Sequence, residues 1–212
     1  MQNTKVCHIF GGGDCNLTEF KSGDGDLTVA ADGGLRHLAR LGVTPDLLVG
    51  DFDSLDALPS GVETLRFPVE KDDTDMCLAA KEGLRRGYRV FKLYGGMGGE
   101  RISHTLANIA LLAWLCEQSA VGTLIDADTE ITAVRDGEIS LNGEGHVSIF
   151  AHGGNAQGVS VKGMKYNASG ITLEPNVPLG VSNTLRGNGL VSVERGTLIV
   201  VHEKALDSVV KT

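Results

Sequence analysis

The sequence predicts an α/β fold, with a layered α/β domain at residues 1–127 followed by a small all-β sandwich domain at residues 128–212. Two observations predict it. Up to about residue 126, short apolar runs alternate with segments of helical periodicity, as in a sheet covered by helices. Beyond that point, short strand-like segments are separated by glycine and asparagine turns, and no segment has the helical period.

Composition narrows the class of protein. The chain has 212 residues and 42% hydrophobic content, which are typical of a folded globular protein. Its formal charge of −8 argues against general binding to nucleic acid or membrane surfaces. The apolar segment Ile109 to Cys116 is too short to span a bilayer. The N-terminus lacks the basic and apolar regions of a signal peptide. We therefore expect a soluble, cytoplasmic protein.

The four cysteines contain no C-x-x-C pair, which argues against a zinc ribbon or a thioredoxin-like redox site. We expect them to be buried thiols of a reducing compartment. The 29 glycines are about twice the usual share of about 7%, and many of them occur in pairs or triplets. Such clusters let the backbone turn sharply or approach a ligand closely.

The first predicted strand, Val6 to Phe10, ends at Gly11-Gly12-Gly13-Asp14. The glycines either admit a ligand beside the strand or form a tight turn. The second strand, Leu27 to Ala31, ends at Asp32, and a helix follows from Leu35 to the stop signal Gly42. Asp32 is therefore either a ligand-binding residue or the N-cap of that helix.

The third predicted strand begins at Leu47 and ends in Gly50-Asp51-Phe52-Asp53. Side chains two residues apart on an extended chain point to the same side, so Asp51 and Asp53 would stand about 6–7 Å apart at the carboxyl end of a strand. Open α/β sheets bind ligands at that edge. A hard cation such as Mg²⁺ carrying a substrate's phosphates would relieve the repulsion between them, whereas the alternative is a polar turn.

A run of acids follows the next predicted strand, Val62 to Val69. Glu70, Asp72, Asp73 and Asp75 lie within six residues, immediately before a helix that Gly87 ends. Thr74 as a cap, and Asp75 at the positive end of the helix, account for part of this run. The remaining acids indicate a metal-binding or phosphate-binding role.

The fifth strand, Val90 to Tyr94, leads into the glycine-rich loop 95–99 and a long helix from about Ser103 to Glu117, which is apolar nearly all round and is therefore expected to be buried. Arg101, His104 and Asn108 are spaced three and four residues apart, so they share one helix face if the first helical turn begins near Arg101. Arg101 beside a glycine loop and a helix start indicates an anion site. For the other two, a buried hydrogen-bonded network is the alternative.

Strand Val121 to Ile125 completes the first domain. The second domain is predicted to contain five strands, at residues 131–134, 146–150, 159–161, 190–193 and 198–202.

Several motifs together resemble the thiamine pyrophosphokinase family. They are Gly12-Gly13-Asp14, Ala31-Asp32-Gly33-Gly34, Pro45-Asp46, Gly50-Asp51-Phe52-Asp53-Ser54, Lys71-Asp72-Asp73-Thr74-Asp75, Gly98-Gly99-Glu100-Arg101-Ile102-Ser103-His104, Leu106-Ala107-Asn108, Lys162-Gly163-Met164-Lys165-Tyr166 and Gly180-Val181-Ser182-Asn183. Their order and spacing, and the α/β-then-β layout, fit the family over most of the chain.

This resemblance implies a Rossmann-like first domain in a homodimeric enzyme that transfers a pyrophosphoryl group from ATP to thiamine and releases AMP. It implies Mg²⁺ held by four catalytic carboxylates, Asp51, Asp53, Asp72 and Asp75. It also implies nucleotide or substrate contacts from Asp14, Asp32, Gly33, Arg101, His104 and Asn108. Ser182 and Asn183 would contact thiamine near the dimer interface.

Two positions depart from the family pattern. Ser103 stands where the family usually has an aspartate, and Thr184 where it often has an acidic or aromatic residue. Two other functions stay open. A haloacid-dehalogenase-type phosphohydrolase also places D-x-D after an apolar strand, although normally near the N-terminus. A nucleotide-binding module without activity would accommodate Ser103.

Overall fold

A computed structural model of the chain describes residues 4–52, 59–68 and 72–205. Packing divides the chain into two units. The first comprises Met1–Leu111 and Ser119–Ala127, and the second comprises Leu112–Gln118 and Asp128–Thr212. The fold is dominated by β-sheet, with three α-helices among the described residues.

The first unit is built on a parallel sheet. Its strands are β1 (Val6–Phe10), β2 (Leu27–Ala31), β3 (Leu47–Gly50), β4 (Glu63–Arg66), β5 (Val90–Tyr94) and β6 (Val121–Ile125). They lie side by side in the order β4-β3-β2-β1-β5-β6, so β1 is central. Four predicted strands match β1, β2, β5 and β6 residue for residue. The fourth predicted strand is shorter in the structure, where it spans Glu63–Arg66; its predicted end, Val69, lies outside the described residues. It lies at the edge of the sheet, with β3 as its one partner among the described strands.

Three α-helices occur among the described residues: α1 (Leu35–Arg40), α2 (Asp75–Arg85) and α3 (Ile102–Glu117). The Thr74 hydroxyl caps α2 by accepting the N–H of Cys77 at 3.2 Å, as predicted. Asp32 does not cap α1, because a 3₁₀ turn, Asp32–Gly34, intervenes. The N-cap alternative for Asp32 is therefore wrong.

Helices cover both faces of the sheet. Leu38 of α1 packs with Phe10 and Leu48 on one face. On the other, α2 lies so close that a β-carbon added at Gly83 would come within 2.9 Å of Cys7 Sγ. Neighbouring residues of a strand point to opposite faces, and both faces are buried here. The continuous apolar runs of the sequence follow from that burial.

Helix α3 is only partly buried, so the expectation of general burial is wrong for its first half. Leu112 and Leu115 are fully buried, but Ile102 and Leu106 are 69% and 62% exposed. A helix that is apolar all round gives no sequence signal of which side remains uncovered.

The second unit consists mainly of antiparallel strands. They are β7 (Thr129–Met164), β8 (Ala168–Leu173) and β9 (Gly180–Lys204). Both long elements fold back on themselves, since residues 129–135 and 145–152 of β7 both pair with residues 197–204 of β9. All five predicted segments lie within β7 and β9, whereas β8 was not predicted. Described residues 128–205 contain no helix.

All four cysteines are free thiols. Cys7 and Cys15 are buried as expected, whereas Cys77 and Cys116 are half-buried. Burial raises the pKa of Cys7 to about 12 and that of Cys77 to about 11. In the described part of the chain, every helix is too short or too polar to cross a bilayer.

Candidate functional site

A cavity of about 740 Å³ lies in the first unit, lined by the loops that follow its parallel strands. The carboxyl ends of parallel strands meet at one edge of a sheet, so loops distant in sequence converge there. Eight of the predicted site residues line the cavity: Asp14, Asp32, Gly33, Asp51, Asp75, Arg101, His104 and Asn108. The sequence therefore identified most of the polar groups that the fold brings together.

Two glycine loops form the middle of this edge. The N–H of Gly11 donates to Tyr94 O at 2.8 Å, and the N–H of Gly13 donates to Gly95 O at 2.9 Å. A β-carbon added at Gly13 would lie only 2.8 Å from Gly95 O, so a side chain at this position would force the loops apart. The loops after β1 and β5 are thus joined through their backbones.

Asp14 strengthens this junction. Its Oδ2 accepts the N–H of Gly99 at 2.7 Å, and its backbone bridges to Met97. A charged acceptor makes a stronger bond than a neutral one. Asp14 therefore lines the cavity and also fixes the loop that leads to Arg101.

Asp32 and Asp51 follow the adjacent strands β2 and β3. Asp32 has φ 45° and Phe52, the residue after Asp51, has φ 60°, a left-handed region that is unfavourable for residues other than glycine. Strained backbone concentrates at ligand-binding sites, where the surrounding structure maintains it. The predicted partner of Asp51, Asp53, lies outside the described residues.

The acid run before α2 separates into different positions. Asp75 begins α2 and lines the cavity. Asp72 is exposed and does not line it, whereas Asp73 does. Asp73 accepts two bonds from Lys81 Nζ, at 2.7 and 2.8 Å, and this pairing lowers the pKa of Asp73. Asp72 was predicted to be a site residue but does not line the cavity, because the turn before α2 places Asp73 there instead.

Arg101, which immediately precedes α3, lines the cavity together with His104 and Asn108 of α3, as their spacing predicts. Asn108 is buried, and its Nδ2 donates to Gly96 O at 2.8 Å. Asn108 therefore holds the second glycine loop, which is the structural alternative considered for it. Arg101 and His104 are exposed.

Sequence reasoning missed Arg36 and Glu100, which also line the cavity. Glu100 lies inside a motif that had been singled out for its arginine. Arg36 lies four residues after Asp32 on a short helix. The sequence could have indicated Arg36, because a residue one helical turn beyond a site residue lies on the same side of the helix.

The residues suited to a divalent cation are carboxylates. Within the described ranges, no three His, Cys, Asp or Glu side chains are arranged to hold a metal ion. Mg²⁺ in phosphate-transfer sites is typically bound by one or two carboxylates together with substrate phosphates and water. The donors Asp51 and Asp75 on the cavity wall fit a cation that arrives with phosphates rather than one held in a complete protein cage.

Ser182 and Asn183 belong to the second unit. The Asn183 side chain makes two bonds to Tyr166, with Nδ2 donating to its carbonyl at 2.6 Å and Oδ1 accepting its N–H at 2.9 Å. The N–H of Ser182, at φ 59°, donates to Ser148 Oγ at 3.0 Å. Asn183 and Tyr166 line a separate, mainly apolar cavity of about 360 Å³.

The first unit is thus an α/β structure whose acids, arginines and glycine loops converge at the ligand-binding edge of a parallel sheet, the arrangement of an enzyme that handles phosphates. Comparisons with known proteins define the family. Residues 22–123 match the family model described as thiamin pyrophosphokinase, catalytic domain, and residues 135–198 match its vitamin B1 binding domain. The chain belongs to the thiamin pyrophosphokinase family.

Individual relatives agree. The thiamine pyrophosphokinase of Bacillus subtilis (strain 168) is 27% identical over 210 residues, covering 93% of this chain and 98% of that protein. The crystal structure of thiamine pyrophosphokinase from Bacillus subtilis superposes with a TM-score of 0.85 at 25% identity, covering 95% of this chain and 100% of the other. Thiamin pyrophosphokinase from Geobacillus thermodenitrificans, at 24% identity, has the same fold, with a TM-score of 0.79 over 95% of this chain and 99% of the other.

Proposed function

We propose that this protein transfers the pyrophosphoryl group of ATP to thiamine, giving thiamine diphosphate and AMP. The observation that carries the proposal is the cavity of the first unit. Its acids, glycine loops and Arg101 converge within a region that largely coincides with the match to the family's catalytic domain. In this reaction the hydroxyethyl oxygen of thiamine bonds to the β-phosphorus of ATP. The bond from that phosphorus to the oxygen bridging it to the α-phosphorus breaks, AMP leaves with that oxygen, and the proton of the hydroxyl is released.

The residues provide what phosphoryl-type transfer needs, which is positioning and neutralisation of charge. Arg101 is the side chain that we assign to the phosphates. Asp14 and Asn108 keep the two glycine loops in place, by their bonds to Gly99 N and Gly96 O. Asp32, Gly33 and His104 complete the proposed nucleotide contacts.

Enzymes of this kind need a divalent cation, and we propose that here it is Mg²⁺. We assign it to Asp51, Asp53 and Asp75, with the cavity positions of Asp51 and Asp75 as support, and not to Asp72, which does not line the cavity. Such a cation neutralises charge on the phosphate oxygens when it is bound.

We assign residues 1–127 to a Rossmann-like, ATP-binding catalytic domain and residues 128–212 to a β-sandwich domain for thiamine binding and dimerisation. Helices on both faces of a parallel sheet support the first assignment. The match of residues 135–198 to the vitamin B1 binding domain supports the second. Ser182 and Asn183 are the proposed thiamine-binding residues. The free cysteines agree with a cytoplasmic location.

We propose a homodimer. Exposed apolar side chains support it, namely Ile102 and Leu106 on α3 and Leu179 in the second unit, which are 62–69% exposed. Apolar side chains one helical turn apart form a surface that a second copy can cover. Sedimentation of the purified protein measures this directly, and a monomer at micromolar concentration would contradict it.

The test of the function is whether AMP appears only when both ATP and thiamine are present with Mg²⁺. Release of phosphate from simple esters would instead support the phosphohydrolase. Calorimetric titration with an inert ATP analogue, without and with thiamine, follows binding separately from turnover. ATP binding with no AMP formed would support the inactive binding module.

A further inference from the structure

The three basic residues of α1, Arg36, His37 and Arg40, have different surroundings. His37 Nε2 donates to Gly13 O at 2.7 Å, and Arg40 Nη2 donates to Cys15 O at 2.6 Å. These two side chains hold the loop that follows β1. Arg36, on the same helix, lines the cavity instead.

Glycine at position 33 provides the space that the Arg36 guanidinium occupies. A β-carbon added at Gly33 would lie 2.9 Å from Arg36 Nη2 and 3.2 Å from the Cα of Gly12. The guanidinium therefore rests against bare backbone beside the first glycine loop. Any larger residue at position 33 would displace it.

Arg36 differs from the paired arginines of the chain. Arg85 and Arg86 both bind Glu82, and Arg86 also binds Glu63. In the described part of the chain, no carboxylate or carbonyl accepts a hydrogen bond from Arg36 or from Arg101. As far as the described residues show, the cavity therefore has two guanidinium groups whose donors are available to an anion.

The strand order separates the elements that carry these two groups. Arg36 follows β2, Arg101 follows β5, and the loop Gly11–Gly13 follows β1, which lies between those strands. Two strand spacings amount to about 9–10 Å at the strand ends. An extended triphosphate lying across the glycine loop matches this separation better than a single phosphate does.

We propose that Arg36 is a second polyphosphate-binding residue, which acts with Arg101 and makes the site prefer a nucleoside triphosphate to the monophosphate. This inference rests on the proposed function, since it concerns the donor nucleotide of that reaction. It assigns to α1 a specificity-determining side chain, where His37 and Arg40 only maintain the loop.

The test compares the full-length protein with Arg36→Ala and Arg36→Lys. Calorimetry with inorganic tripolyphosphate, an inert ATP analogue and AMP, each with Mg²⁺, measures affinity without turnover. A lost charge-assisted contact should weaken both triphosphate probes about tenfold in Arg36→Ala and leave AMP unchanged. Arg36→Lys should lie between, because lysine keeps the charge but not the planar fork.

Arg195→Ala is the matched control. Arg195 is exposed, belongs to the second unit and does not line the cavity, so its removal changes the net charge equally. It should bind all three probes like the wild type. Thermal unfolding followed by circular dichroism checks that each variant is folded.

Kinetics supply a second readout. Arg36→Ala should raise the KM for ATP about tenfold and leave the KM for thiamine unchanged. Unchanged tripolyphosphate affinity in folded Arg36→Ala, or an equal loss for AMP, would overturn the inference. If the wild type binds tripolyphosphate through Arg36 yet forms no AMP from ATP and thiamine, the proposed function fails while the role of Arg36 in binding stands.

Discussion

The two units of the chain use glycine and polar side chains in different ways. In the first unit, Gly11 and Gly13 lie where two loops touch, and acids and arginines around them face a cavity. In the second unit, Gly187 has φ 94° and open space around it, and it lies within β9 opposite Gly143 of β7, away from any ligand-binding loop. The side-chain amide of Asn183 there makes its hydrogen bonds to the backbone of Tyr166.

This difference follows from how the strands are joined. Parallel strands need long connections, and these gather many side chains at one edge of the sheet. Antiparallel strands are joined by short turns, whose polar residues satisfy nearby backbone groups. Substitutions of the polar residues that line the cavity of the first unit should therefore affect turnover, whereas those of polar residues in the second unit should act through local structure.

The largest effect is expected for Asp51→Asn. The amide keeps the shape of the side chain but loses the charge that we assign to binding the cation, so kcat should fall by about 100- to 1000-fold. Thermal unfolding should stay within a few degrees of the wild type. A steady-state AMP assay and circular dichroism measure the two quantities.

Asp136→Asn is its control. Asp136 accepts the N–H of Gly196 at 2.7 Å in the second unit, a bond that an asparagine oxygen can also accept. Its kcat should match the wild type. Near-normal turnover in Asp51→Asn would remove the main support for a cation at the end of β3.

An intermediate effect is expected for Glu82→Gln, an acid of the first unit that does not line the cavity. Hydrogen bonds from Arg85 lower the pKa of Glu82 to about 2, against the opposing effect of burial and with further help from Arg86. A lowered pKa stabilises the fold above the unfolded value of 4.5, and that stability is lost as pH falls from there toward 2. Glu82→Gln should lower the unfolding free energy by about 1–2 kcal/mol at pH 7, allowing for the exposed Arg85.

Urea denaturation at pH 7 and near pH 2 checks this, because the difference from the wild type should vanish at the lower pH. Glu117→Gln is the matched control. Glu117 is about half exposed and lies 3.5 Å from Arg135, so its loss should cost less than about 0.5 kcal/mol. Equal losses in both variants would show that burial of Glu82 does not matter.

The smallest effect is expected in the second unit. Asn183→Ala removes two bonds to Tyr166, so the loop should loosen and the KM for thiamine should rise about fivefold. Ser182→Ala should raise it less, because its bond to Ser148 comes from the backbone. The KM for ATP should not change in either variant. A larger rise for ATP than for thiamine would place the acceptor elsewhere.

The parallel sheet was the most predictable part of the structure. A strand such as Leu47–Gly50 is buried at every residue, so burial leaves an uninterrupted apolar run in the sequence. The second unit was harder. Its long elements bend through glycines such as Gly143 and Gly153, both at positive φ, and the sequence does not show where pairing continues through a bend.

Sequence spacing predicted many of the residues that line the cavity, but not the contacts that each of them makes. It placed Arg101, His104 and Asn108 on one face of α3. It could not show that Asp73, rather than Asp72, lines the cavity, because that depends on the backbone conformation of the turn before α2. It also gave no reason to expect different roles for Arg36 and Arg40. In the structure, Arg36 lines the cavity, whereas Arg40 binds the carbonyl of Cys15.

The bond between Asp14 and Gly99 joins residues 85 positions apart. A chain emerging from the ribosome cannot make this bond until β5 and its loop have been synthesised and have docked beside β1. Short peptides copied from either loop should accordingly show no affinity for nucleotides. The capacity to bind them therefore depends on the pairing of β1 with β5, which brings the two loops together.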